Sequence, residues 1–178
     1  MSLIKPHAYA ELPEVFYNLQ NWEGFKNPSL VIENAQLKKE MGLQNIEGYK
    51  LLEIFNGSSQ IKTLKPLSMV YAGHQFGQYV EQLGDGRGLL LGQINSSSGL
   101  IDIHLKGAGK TPYSRFGDGR AVLRSVIREY LCGEAMHALS IPTSRALMIV
   151  GSDELVIREK SETAAMLART AKSHIRFG

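Results

Sequence analysis

Between Gly84 and Gly119, nine of 36 residues are glycine, and they separate short aliphatic runs such as "GLLLGQI" and "LIDIHLKG". Glycine at that density argues against a continuous helix and calls for turns and close backbone approaches, so the stretch reads as strands and loops. The run "SMVYAG" just upstream is a further strand, and "INSSSGL" (94–100) is a polar hairpin loop between two of them. From Arg120 to Leu139 the pattern changes. Leu123, Val126, Ile127, Tyr130, Leu131, Ala135, Ala138 and Leu139 recur at three- and four-residue spacing, which predicts an amphipathic helix that Pro142 stops. "SRALMIV" and "ELVIRE" read as two more strands joined at "GSD", and "ETAAMLARTAKSHI" as a closing helix.

Residues 1–64 have a different texture. They hold the chain's only tryptophan, in "FYNLQNWEGF", and a short helix is predicted in "SLVIENAQLKKEMGL", closed by Gly42. This part reads as a mainly helical or irregular packing extension. The expected organisation is therefore an extension over 1–64 followed by a lobe over 65–178.

Composition narrows the functional classes. The 178 residues are 43% apolar, enough to bury a core, and 20 Lys and Arg against 17 Asp and Glu leave a net charge of only +3. That surplus, dispersed along the chain, predicts neither a nucleic-acid partner nor a polybasic membrane patch. The single cysteine, Cys132, excludes an internal disulfide and suits a reducing compartment. The opening "MSLIKPHAYAELPEVF" has no apolar core of a leader peptide, so the expected location is the cytoplasm. His74, His104, His137 and His174 have no metal-ligand spacing and read as structural.

The chemistry-bearing residues gather around a repeated tetrapeptide, "GDGR", at 84–87 and again at 117–120. The first copy is a standard hairpin-turn signal, but Gly84, Gly86 and Gly88 at alternate positions exceed what a turn needs. Bare glycines let backbone N–H groups approach an anion, and Arg87 adds charge. Lys106 ends the strand "LIDIHLKG". Taken alone it is an exposed edge-strand lysine. Glu129, however, lies on the same helical row as Val122, Val126, Gly133 and Met136, and a carboxylate on that row either reaches water or requires a cation. Lys106 is the candidate partner. Around the second copy, Lys110, Arg115 and Arg120 accompany the start of the helix, where Asp118 sits to complement its positive end. Arg169 and Arg176, seven apart, would share one face if the last helix ran that far.

The strings "YAGHQFGQYVEQLGDGRG", "LKGAGKTPYSRFGDGRAVLRSVIREYLCGEAMHALSIPTSRAL" and "SHIRFG" closely resemble the selenoprotein O family, with a fainter likeness in "PSLVIENAQLKKEMGL". The resemblance implies an α+β, protein-kinase-like N-terminal lobe, with an antiparallel sheet of about five strands and a long helix between the third and fourth. It also implies a protein adenylyltransferase that holds ATP flipped and moves AMP onto Ser, Thr or Tyr hydroxyls of protein substrates, with Mg²⁺ or Mn²⁺ as metal. On this chain it implies that Gly84, Gly86 and Arg87 form the nucleotide loop, that Lys106 touches phosphate while paired to Glu129, that Asp118 and Gly119 contact nucleotide, and that Arg169 and Arg176 grip the phosphate tail. Lys110, Gly88 and Glu81 depart from the family's usual residues. The family carries its catalytic base and metal ligands after "HIRFG", which here means beyond Gly178. The chain is therefore expected to be an N-terminal, nucleotide-gripping piece, inactive alone, with no catalytic or metal residue of its own. Its uncovered lobe face is a candidate dimer surface. A non-catalytic ATP-binding module and a γ-phosphoryl kinase are the rival expectations.

Overall fold

The computed structural model describes residues 3–58 and 64–174. Among them the chain is α+β, with three α-helices and one antiparallel sheet of nine strands. Two strands come from the first 64 residues: β1 (Tyr17–Leu19) and β2 (Ser29–Glu33), the latter followed by α1 (Ala35–Glu40) and α2 (Gly48–Phe55). Then come β3 (Leu67–Gln75), β4 (Gln78–Gly84), β5 (Gly88–Ser96), β6 (Gly99–Lys106), the two-residue β7 (Ala121–Val122), α3 (Leu123–Ala138), β8 (Arg145–Ile157) and β9 (Ser161–Ala171). The sheet order is β1-β3-β5-β6-β9-β8-β2, with β4 added on β3 and β7 on β9.

Register decides what meets what. β5 and β6 form a hairpin closed at Ser96↔Gly99, and with a bulge between Leu90 and Gly92 it sets Gly88 opposite Lys106 at its far end. On its other edge β6 pairs with β9, which brings His104 opposite Arg169 and Lys106 opposite Leu167. Strand alternation then sorts β6 into two faces. Ile103 and Leu105 are fully buried with Leu37, Met41, Leu51 and Phe55 of the α1–α2 layer. Asp102, His104 and Lys106 project from the opposite face, the one on which α3 lies.

β9 corrects the expected closing helix. Ala164, Met166 and Ala168 face the α1–α2 core, whereas Ala165 and Leu167 face α3 beside Val126 and Ile149. A strand covered on both faces has no polar alternation, so "AAMLA" carries no period that separates it from a buried helix, and the hydrogen-bond ladders from β6 and β8 settle the matter. The expected pair of strands around "GSD" is one 13-residue strand, β8, which runs through that point by an irregularity between Gly151 and Leu155. The expectation of about five strands also falls to nine, because β1, β2 and β4 lack an apolar alternation and β7 is too short to leave one.

The long helix forms as expected but begins later. α3 starts at Leu123, directly after β7, with Val122 at its cap position and no side chain capping it. Leu123, Val126 and Tyr130 pack on the sheet. Leu131 and Leu139, counted in the expected apolar face, are 62% and 69% exposed, and Ile127, Ala135 and Ala138 are exposed too, so only three of its eight residues are covered. Three charge pairs fasten the helix instead. Arg124 bonds Glu162 at 2.7 and 3.0 Å, Glu134 accepts from Arg145 at 3.1 and 2.8 Å, and Glu129 between them meets Lys106. Arg145 also reaches Glu40 of α1 at 2.6 Å. No helix among the described residues is long and apolar enough to cross a membrane.

Candidate functional site

The two "GDGR" segments border one cleft, and the loop that carries the second packs on the first. The first forms the β4–β5 turn, where the Gly86 N–H donates to Gly84 O at 2.9 Å and Asp85, 5% exposed, is tied to Met69 through its backbone N–H at 3.0 Å. The second loop, between β6 and β7, lies over this turn. The Thr111 hydroxyl donates to Asp85 O at 2.7 Å and the Ser114 hydroxyl to Gly86 O at 2.5 Å. A Cβ at Gly84 would stand 2.2 Å from the Tyr113 ring, and one at Gly86 would stand 2.8 Å from Tyr113 O. The bare glycines thus admit Tyr113, whose hydroxyl accepts from Asn18 of β1. This packing of chain on chain is a use of those glycines that the anion reading did not foresee.

At the centre is a cluster of charge on the α3 side of β6. The Lys106 ammonium donates to Glu129 Oε2, and Arg169 Nη1 donates to Glu129 Oε1 at 3.3 Å. Burial alone would raise the Glu129 carboxyl, but the Lys106 bond and the Arg169 charge outweigh it and hold it below the usual carboxylate range. Arg169 Nη2 donates to His104 Nδ1 at 2.8 Å, and the other ring nitrogen of His104 lies 3.3 Å from Asp85 Oδ2. His104 has no exposed surface; burial first, and then the Arg169 charge, push its pKa down to about 4 against the opposing pull of Asp85. Asp102, the third residue of this row, accepts from Gln93 and meets His7, both at 2.9 Å, and His174 at 3.2 Å. Burial would raise its carboxyl as well, yet the bonds from His174, His7 and Gln93 take it well below the ordinary range.

The second "GDGR" copy supplies the opposite wall. Asp118 takes a two-pronged bond from Arg158, both arms at 2.8 Å, and accepts the Arg120 backbone N–H at 2.9 Å. The Arg158 bond is the main reason its carboxyl lies low. Gly119 has φ +72°, and a Cβ there would stand 2.0 Å from Gly109 O. Arg120 forks onto Glu154 at 2.9 and 3.1 Å and stacks over Phe25, so it does not join Arg115 and Lys110 at the start of α3 as the sequence suggested.

Between these walls opens a cleft of about 880 Å³. Gly84, Gly86, Arg87, Lys106, Asp118, Gly119 and Arg169 line it, and Glu129 reaches it through Lys106. Arg176, expected on the phosphate tail, and Gly178, beyond which the catalytic base was expected, lie outside the described residues. Arg87, Lys106, Arg115, Arg158 and Arg169 line the cleft together with Asp85 and Asp118, and Arg120, which also borders it, has its charge matched by Glu154, so cations outnumber acids in the lining. Sequence reasoning missed Asp85, His104, Tyr113 and Arg158. His104 had a signal, since two residues before Lys106 in a strand is the same face. Arg158 had none, because its position depends on a β8–β9 hairpin that was read as strand and helix. Asp85 and Asp118 are both engaged in protein bonds, and among the described residues no group of three or more His, Cys, Asp or Glu side chains could hold a metal ion.

A family model described as "Protein adenylyltransferase SelO" matches residues 2–178. The chain is 54% identical over 173 residues to a protein nucleotidyltransferase YdiU from Vibrio parahaemolyticus, covering 97% of this chain and 35% of that protein. Similar relatives of the same name come from Stutzerimonas stutzeri and Myxococcus xanthus, each 51% identical over 175 residues, covering 97% of this chain and 36% of theirs. The chain thus spans about a third of the length of the curated relatives it matches. With the family model covering nearly every residue, the chain belongs to the protein adenylyltransferase SelO family.

Proposed function

We propose that the longer polypeptide is a protein adenylyltransferase and that this chain is its ATP-gripping, kinase-like N-terminal lobe, with the catalytic base supplied from beyond Gly178. The observation that carries the reading is the Lys106–Glu129 pair at the edge of a cleft bordered by both glycine loops and by Arg87, Arg115, Arg158 and Arg169. A triphosphate is a compact polyanion, and fixed guanidinium and ammonium groups in a partly dry cleft stabilise it without reorganising. In the transfer, an acceptor Ser, Thr or Tyr oxygen bonds to the α-phosphorus, the bond to the β-phosphate oxygen breaks, and pyrophosphate leaves. The hydroxyl proton passes to that base in the remainder of the polypeptide.

The residues described here bind and orient. Lys106 and Arg169 neutralise phosphate oxygens while Glu129 fixes both cations. Arg87 and Arg115 approach from the two loops. Gly119, at φ +72° and with Gly109 O where a Cβ would stand, lets the second loop close on the backbone that follows β6 and so fixes the wall that carries Asp118. The donor set does not fit a divalent cation, since both carboxylates of the cleft are committed to His104 and Arg158. Magnesium, which the family implies, would take its ligands from the phosphates and from the rest of the polypeptide.

The test uses the full-length protein with ATP labelled separately at the α and γ phosphates. Label reaching protein from the α position alone is the expected result. Transfer from the γ position alone would make it a kinase, and ATP binding without any protein labelling would make it a non-catalytic module.

A further inference from the structure

We infer that His104 is the positioning residue that aims Arg169 into the cleft and couples it to the first glycine loop. The inference rests on the ATP-gripping role proposed above. It stands on the geometry of a residue that touches no open part of the cleft. Arginine can only donate, so the His104 Nδ1 that Arg169 Nη2 reaches at 2.8 Å must carry a lone pair. In a neutral imidazole the proton then sits on Nε2 and is directed at Asp85 Oδ2, 3.3 Å away. One ring thus accepts from the phosphate-facing arginine of β9 and donates to the central acid of the β4–β5 turn.

The surroundings leave the ring no alternative position. It is fully buried, and the His174 ring stacks on it with centroids 4.9 Å apart. Gly88 leaves room for it as well, since a Cβ there would stand 2.6 Å from His104 Cε1. Asp85, Arg169 and His174 are the titratable groups that face it, and the low pKa of the ring keeps it neutral near pH 7. A protonated ring would repel Arg169 and lose its acceptor. Neutral, it fixes one arm of the guanidinium while Glu129 fixes the other at 3.3 Å, so the fork has a single orientation before nucleotide arrives.

Substitutions separate the two bonds. Asn puts an amide oxygen near the Nδ1 position and keeps an acceptor for Arg169, Gln puts an amide nitrogen near Nε2 and keeps only the donor to Asp85, and Leu keeps neither. ATP is titrated into the full-length protein, with inorganic triphosphate as competitor to isolate the phosphate grip. His104→Leu and His104→Gln are expected to weaken ATP and triphosphate by about tenfold, the scale of one charge-assisted hydrogen bond, while His104→Asn stays within about threefold of the parent. In an Arg169→Lys background, His104→Leu should add less than about twofold, because its effect runs through a fork that is already gone.

Equal affinities for the Asn and Gln variants, or full additivity with Arg169→Lys, would overturn the inference. The Asn and Gln comparison decides it even where His104→Leu fails to fold. A parent protein that binds ATP while all three variants bind it as tightly refutes the positioning role alone. A parent protein that binds neither ATP nor triphosphate refutes the proposed function, and this role with it.

Discussion

The Lys106 ammonium of β6 and the Glu129 carboxylate of α3, 23 residues apart in the chain, bond to each other on the rim of the cleft, and Arg169 holds the second carboxylate oxygen at 3.3 Å. The pair ties the second strand of the β5–β6 hairpin to the helix that follows the second glycine loop. Lys106→Ala in the full-length protein is expected to lower AMP transfer by about a hundredfold or more, as loss of a preorganised charge does. Circular dichroism should be unchanged, because the lysine stands at the end of its strand with its side chain toward the cleft rather than in the apolar core. A variant with most of its activity would remove Lys106 from the phosphate contact.

Stability should fall on the acid side well before the carboxylates titrate. His104 has its pKa lowered from 6.5 to about 4, so between those values the unfolded chain takes up a proton that the folded chain refuses. Unfolding therefore gains as pH drops through that window, by up to about 3 kcal/mol, and the full stability is present above it. Glu129, Asp118 and Asp102 are shifted downward too, and their contribution is lost only at lower pH, after their unfolded forms begin to protonate. Urea midpoints measured from about pH 7.5 to about pH 5 should decline in the parent and flatten in His104→Asn.

Two glycines with the same backbone sign should respond differently to alanine. Gly119, at φ +72°, has Gly109 O 2.0 Å from where a Cβ would be; Gly77, at φ +78° in the β3–β4 turn, has nothing within 4 Å. Gly77→Ala should cost about 1 kcal/mol of backbone strain, whereas Gly119→Ala adds a collision of backbone with backbone and should cost about 3 kcal/mol. Thermal or denaturant unfolding of the two variants, compared directly, checks the order.

Arg158 should matter to nucleotide binding more than to the fold. Its two bonds at 2.8 Å hold Asp118 in place at the cleft, but both side chains are about a third exposed and screened by water. Arg158→Ala is expected to cost no more than about 1 kcal/mol of stability and to weaken ATP several-fold, because it removes a cation and frees Asp118 to meet the phosphates. Calorimetric titration of ATP into the variant and the parent checks this. Tighter ATP binding by Arg158→Ala would contradict the assignment.

Local pattern carried much of this fold. The hairpin of β5 and β6, with its polar turn, was readable from alternation and turn chemistry, and α3 from its three- and four-residue spacing. The pairing of Lys106 with Glu129 was reachable because a carboxylate on an apolar helical row needs a cation. What failed was long-range. "ETAAMLARTAKSHI" becomes a strand only because β6 and β8 supply ladders on both its edges, and no window of that segment contains either neighbour. β4 and β2 are polar or exposed along most of their length, so they lack the apolar rhythm that marks a strand. Tyr113 over Gly84 and His104 against Gly88 were hidden for a related reason, since close packing of a ring on a bare backbone appears only once both loops are in place.

α3 is bolted to the sheet at Arg124, Glu129 and Glu134, through partners on β6, β8 and β9. A rigid-body swing of the helix would have to break all three pairs together, so the cationic wall stands preassembled whether or not ligand is present. Control of such a site then falls to the loops, because ionic strength screens the exposed Arg124–Glu162 pair far more than the two partly buried ones.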